Sequence, residues 1–153
     1  MDKELLKKRV CEAIDASANK IKDIADRIYA EPELGFKEFK TAAKVKAFME
    51  EEFGIVPQTG LAINGVKCRL KGAKPGPTVA VLGELDAIGC PESPDADPMT
   101  GAAHKCGHNL QVASMLGAGC GLFKSGVMEE LAGDCVLFGV PAEEYVELAY
   151  SQQ

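Results

Sequence analysis

No apolar run in the sequence approaches the roughly 18 residues of a membrane span, and no basic stripe marks a nucleic-acid partner. Acidic residues outnumber basic ones, 23 to 17, and the two are mixed along the chain for a net charge of −6. That balance argues against nucleic-acid binding. The N-terminus, Met1-Asp2-Lys3-Glu4-Leu5-Leu6-Lys7-Lys8, is charged and lacks the apolar middle of a signal peptide, which places the protein in the cytoplasm. The six cysteines, Cys11, Cys68, Cys90, Cys106, Cys120 and Cys135, have no regular spacing. Without a secretion signal they do not read as a disulfide framework. CxxC and GxxxxGK[ST] motifs are absent, as are internal repeats and coiled-coil heptads. Histidine is scarce: both copies, His104 and His108, fall within one stretch of five residues.

What is present suits one globular domain over residues 1–153, with 46% hydrophobic residues to build a core. Leu6, Val10, Ile14, Ile21, Ile24, Ala25 and Ile28 fall at three- and four-residue spacing and predict one long helix over residues 3–29, closed by Pro32. A second amphipathic helix is expected over 37–52, with Gly54 as its stop. Residues 55–58 read as a short extended piece and 60–65 as turn-rich. Val66–Leu70 alternates as a strand, and 71–77 is a Pro/Gly turn cluster. Thr78–Leu82 is almost wholly apolar and β-branched and predicts a central strand buried on both faces. Residues 89–103, with three prolines, read as a surface loop. Asn109 is the expected N-cap of a buried helix over 110–123, whose glycines around Gly117–Gly121 suit close packing. Cys135–Val140 is a second apolar strand, closed by Pro141.

Strand, loop, helix, strand is a βαβ unit. The expected fold is α/β, a mostly parallel sheet with helices on both faces. In such sheets the reactive crevice lies beyond the carboxyl ends of the strands. Asp86 follows one strand, Glu143 and Glu144 follow the other, and His104–His108 precedes the connecting helix. Cys106 and His108 flank Gly107, which lets both side chains face one point. A thiolate, an imidazole and carboxylates are ligands for zinc or a similar metal, and the start of the helix would favour the thiolate. The spacing alone is equally compatible with a buried thiol beside ordinary loop histidines.

The Glu143–Glu144 pair adds weight. Adjacent acids at the end of a buried strand are costly unless paired or bound to a cation. One can hold a metal while the other takes a proton from the attacking water. Asp86 can orient a histidine ring through its second N–H. Glu84 can face the site or a neighbouring helix, and His104 reads as a supporting neighbour rather than a ligand. A cysteine nucleophile paired with His108 is a further use of Cys106, but it leaves Glu143 and Glu144 without a role.

Four blocks occur in the order and rough spacing of one family: Tyr29-Ala30-Glu31-Pro32-Glu33-Leu34-Gly35-Phe36-Lys37-Glu38, Gly83-Glu84-Leu85-Asp86-Ala87, His104-Lys105-Cys106-Gly107-His108-Asn109 and Pro141-Ala142-Glu143-Glu144. From Ile21 to Glu144 the chain resembles the N-terminal catalytic-domain part of the aminoacylase and amidohydrolase branch of the dinuclear zinc metallopeptidases. The p-aminobenzoyl-glutamate hydrolases are the most similar subgroup, and Asn109 fits it where relatives often carry aspartate. The resemblance implies a phosphorylase/peptidase-like fold and two divalent metal ions, zinc or manganese, about 3.5–4 Å apart. It implies Cys106, His108 and Glu144 as metal ligands, Glu143 as general base, and Asp86 as the residue that orients the site from behind. The implied reaction is hydrolysis of an amide next to a free carboxylate, in an N-acyl amino acid, dipeptide or aminobenzoyl-glutamate.

Family members are much longer. They carry an inserted lid and dimerisation domain and further histidine ligands after the glutamate pair, whereas no histidine follows His108 here. The expectation is therefore a partial catalytic domain, inactive alone, with an unpaired sheet edge that favours self-association or a homo-oligomer. The alternative is a truncated, non-catalytic protein serving binding or assembly.

Overall fold

The computed structural model describes residues 2–145, without the side chain of Tyr145; the remaining C-terminal tail, for which the sequence predicted no element, lies outside them. Helices α1 (Lys3–Ala16) and α2 (Ala18–Tyr29) replace the single long helix expected. The break is at Ser17, whose buried hydroxyl donates to the Ala13 carbonyl at 3.0 Å. Such bonding back to the preceding turn bends helices. Helix α3 (Phe39–Phe53) ends at Gly54, which takes the left-handed conformation expected of it, with φ 62°. Strands β1 (Gln58–Leu61) and β2 (Gly65–Leu70) form a hairpin. Strand β3 (Lys74–Glu84) begins inside the expected turn cluster, because Lys74 already pairs with Ala132 ahead of a register shift.

The two-residue strands β4 (Ile88–Gly89) and β5 (Ala102–Ala103) tie off the proline-rich loop. Helix α4 (His108–Lys124) then crosses to β6 (Ala132–Val140). Its cap is Gly107, at φ 83°, rather than Asn109. Asn109 lies buried in the first turn and donates from Nδ2 to the Ala25 carbonyl at 3.4 Å, which ties α4 to α2.

The α/β class holds, with two differences in detail. The sheet order is β1-β2-β6-β3, and it is mixed: β6 runs parallel to β3 and antiparallel to β2. The helices cover one face among the described residues. On that face Val66, Cys68, Leu70, Cys135 and Leu137 meet Val45, Met49 and Phe53 of α3 and Val112, Met115 and Leu116 of α4. Gly119 is what lets α4 sit so close: a Cβ there would stand 2.4 Å from Leu137 Cδ1 and 2.9 Å from Phe53 Cζ. The packing role expected of the α4 glycines is thus visible in contacts.

β3 is an edge strand, not a central one. β6 takes the interior position, and α4 runs from Gly83, which abuts Val112, across to Leu137, leaving the middle of β3 uncovered. Val79 is 61% exposed and Leu82 54%. No helix among the described residues is long and apolar enough to cross a membrane.

Because β3 and β6 are parallel and in register through Glu84 opposite Val140, their carboxyl ends coincide. The chain leaves both strands on the same side as the start of α4. That shared end positions every candidate residue.

Candidate metal centre

His108 is the hub. It opens α4, is buried, and its ring is fixed from behind by Asp86: Nδ1 lies 2.9 Å from the Asp86 main-chain oxygen and 3.3 Å from its Oδ1. With an Nδ1–H so placed, Nε2 turns outward into a ring of acids. Glu84 Oε2 stands 2.9 Å from it, and carboxylate oxygens of Glu143 and Glu144 each stand 3.9 Å away. One ligand atom each from Glu84, His108 and Glu143 lie within 4.8 Å of one another.

Asp86, fully buried, also accepts the Glu144 N–H on Oδ2 at 3.0 Å, so one residue anchors both the imidazole, through its main-chain carbonyl, and the glutamate turn, through its carboxylate. Glu84 is cradled by Gln111, one turn into α4: its N–H donates to Gln111 Oε1 at 2.7 Å, and Gln111 Nε2 donates to its Oε2 at 3.1 Å. The glutamates follow Ala142, a buried non-glycine residue at φ 56°.

The electrostatics are lopsided. Four carboxylates face one imidazole, and no lysine or arginine pairs with any of them among the described residues. The Glu143 carboxyl is pushed up, first by burial and then by the charges of Glu84 and Glu144, with His108 pulling the other way. The exposed Cys106 thiol is pushed up to about 11, chiefly by its hydrogen bond to Glu144, then by burial and the surrounding acids. The expected help from the helix N-terminus is therefore outweighed by carboxylates. Such a cluster is stable when a cation sits among the acids. Imidazole, carboxylate and thiol donors are the set that a divalent transition metal takes, so the residues present fit the ion.

Of the residues singled out from sequence, Cys106, His108, Glu143, Glu144 and Asp86 all converge here. Cys106 stands at the rim beside Glu144 and outside the tightest trio. His104 is buried outside the trio, its ring stacked 6.5 Å from Tyr29, and burial, with the His108 charge second, lowers it to about 4. Glu84 is closer to His108 Nε2 than either glutamate of the pair. Its place two residues before Asp86, on the same strand end, was the signal for it. Gln111 was missed, because a glutamine on a helix carries no sequence signature of what it cradles.

No family profile matches the chain. Thermostable carboxypeptidase 2 of Saccharolobus solfataricus is 31% identical to it over 144 residues, covering 87% of this chain and 36% of that protein. N-acetylcysteine deacetylase of Bacillus subtilis is 32% identical over 120 residues, covering 76% of this chain and 31% of that protein. Among solved structures, YXEP of Bacillus subtilis, a dinuclear metal binding peptidase from the M20 family, matches with a TM-score of 0.73 at 29% identity, over 85% of this chain and 37% of that one.

Fold, site and these similarities agree on a class: the chain is a homologue of amidohydrolases, carboxypeptidases and aminoacylases. Within that class, it is the M20 dinuclear metal peptidases that this chain resembles in sequence and fold, over part of their catalytic domain. It spans about a third of the length of the relatives it matches.

Proposed function

We propose that the chain carries the first half of a dinuclear metal site that hydrolyses an amide next to a free carboxylate. The observation that carries this reading is the ring of uncompensated acids around His108 at the joint carboxyl end of two parallel strands. Cys106, His108 and Glu144 are the proposed ligands, with Glu84 added by its distance to Nε2. A divalent ion held by these residues would supply Lewis acidity toward the scissile carbonyl and the attacking water. Glu143, raised by burial and then by its acidic neighbours, is the proposed base that accepts a proton from water and returns it to the leaving nitrogen. Asp86 keeps the His108 ring aimed and the Glu143–Glu144 turn in place.

The substrate class rests on the relatives. A carboxypeptidase and an N-acetylcysteine deacetylase both cut an amide whose amine side bears a free carboxylate. Zinc suits the thiol donor best, and manganese is the alternative. All six cysteines are free, which suits the reducing cytoplasm proposed as its location.

Alone, the chain is proposed to hold metal with an incomplete ligand set and not to turn over. The open β3 edge, with Val79 and Leu82 exposed, favours self-association and supports the second reading, a binding or assembly protein. Elemental analysis and assays on N-acetylcysteine and a dipeptide separate the two. Bound metal that is lost in His108→Ala, with any turnover abolished in Glu143→Gln while metal is retained, supports the hydrolase. A chain that takes up neither zinc nor manganese leaves only the assembly reading.

A further inference from the structure

The chemistry above uses three of the four sequence blocks and leaves out the one that ends at Glu38. That block is built into the site from behind. The Glu33 carboxylate accepts the Thr41 N–H and hydroxyl at 2.8 and 2.9 Å, locking the block to the start of α3. The Glu33 carbonyl accepts the Ala87 N–H at 2.8 Å, beside Asp86.

Glu38 goes deeper. Its side chain is fully buried, yet no lysine, arginine or histidine pairs with it among the described residues. Oε1 accepts the Ala142 N–H at 2.7 Å, and Oε2 accepts Asn64 Nδ2 at 2.6 Å. Ala142 is the residue at φ 56° that launches the Glu143–Glu144 turn. A buried carboxylate served only by neutral donors is an expensive way to fill space. An apolar side chain of the same size would pack there without the desolvation cost. What the apolar side chain cannot do is hold a strained backbone by its N–H.

We infer that Glu38 is a positioning residue for the metal centre. By accepting the Ala142 N–H it holds the turn before Glu143 in its left-handed conformation, and so sets where both glutamate carboxylates stand relative to His108. The consequence for metal rests on the proposed function; the hold on Ala142 does not.

The test titrates the chain with Co(II), following affinity and the thiolate-to-cobalt charge-transfer band, in wild type, Glu38→Gln and Glu38→Met. The glutamine keeps an acceptor for Ala142 and, with the Asn64 amide turned over, satisfies that partner too; affinity is expected within about threefold of wild type. The methionine removes the acceptor, and affinity is expected to fall about tenfold or more, with a shifted band. Val45→Ala, which loosens the core elsewhere, is expected to lower stability and leave both readings unchanged. Glu38→Met with wild-type affinity and band overturns the inference. Should Glu38→Met not fold, Glu38→Met/Ala142→Gly serves in its place: glycine adopts the positive φ unaided, so recovered folding and affinity support the inference, and no recovery overturns it.

Amide hydrogen exchange separates this inference from the metal reading. If the wild-type chain binds no Co(II), the metal reading fails, and the exchange of Ala142 then decides alone. Exchange about tenfold faster in Glu38→Met, with the centres of α4 and β6 unchanged, supports the hold. Unchanged exchange at Ala142 refutes it.

Discussion

Cys106 donates its thiol hydrogen bond to Glu144, and this bond, with burial and the surrounding acids, holds its pKa at about 11 against an ordinary 9.0. At pH 8 the thiolate is then roughly one part in a thousand, against about one in ten for the ordinary thiol. Restoring the ordinary value would raise thiolate about a hundredfold. Nucleophilicity toward a disulfide falls with pKa at a Brønsted slope of about 0.4–0.5, which takes back a factor of about 6–10. The net ceiling is about tenfold. Glu144→Gln removes the largest cause and one charge, leaving burial, Glu143 and Asp86. A rise of about three- to tenfold in the Cys106 reaction rate is therefore expected at pH 8.

The assay is peptide-resolved mass spectrometry after timed exposure to an aromatic disulfide, with chelator present and the exposed Cys11 as reference for reagent activity. The sign of the pH dependence follows: the wild-type rate keeps climbing with pH until about 11, while that of Glu144→Gln levels off sooner. An unchanged rate in Glu144→Gln, or a wild-type rate that levels off near pH 9, would refute the idea that acids control this thiol.

His104 is buried and neutral, lowered from 6.5 to about 4 by desolvation and then by His108. The unfolded state takes the proton first, so stability is full above pH 6.5 and is lost as pH falls toward 4. The His104 contribution to that loss is about 2 kcal/mol between pH 7 and 5, and urea midpoints for His104→Gln should show a correspondingly flatter pH profile. Gly133→Ala should destabilise by roughly 3 kcal/mol, because φ is 86° there and a Cβ would meet the Pro77 carbonyl oxygen at 2.0 Å; a loss under about 1 kcal/mol in urea melts would contradict it. Leu82→Lys on the open β3 edge should shift any self-association toward monomer in sedimentation velocity, with no change in helix content.

Much of the site was legible because its residue types are expensive. A cysteine two residues from a histidine, and two adjacent glutamates after an apolar strand, stand out against the composition, and the parallel β3–β6 pair brings them together as the βαβ pattern required. What the sequence hid was relational. The apolar run 78–82 matches a central strand in composition, yet which strand lies inside depends on β6 pairing with β2 as well as β3. The break at Ser17 depends on one hydroxyl choosing the Ala13 carbonyl over solvent. Asn109 has the residue type of a cap, but the left-handed Gly107 starts the helix ahead of it and Asn109 is spent on Ala25 instead. Gln111 acts on Glu84, distant in sequence, and carries no periodic or motif signal; Glu38 lies in a recognisable block, but its partners Asn64 and Ala142 are distant and the block alone does not name them.

The parallel pairing of β3 with β6 also governs when the metal can act during folding. Glu84, His108 and Glu143 come from three separate stretches, and their ligand atoms converge only after α4 has crossed and β6 has docked beside β3. An unfolded chain offers an ion little more than the local Cys106–His108 pair. Zinc or cobalt should therefore leave the refolding rate almost unchanged and slow unfolding instead, the signature of an interaction completed after the transition state. The ion would work as a latch on the finished sheet rather than as a nucleus for it.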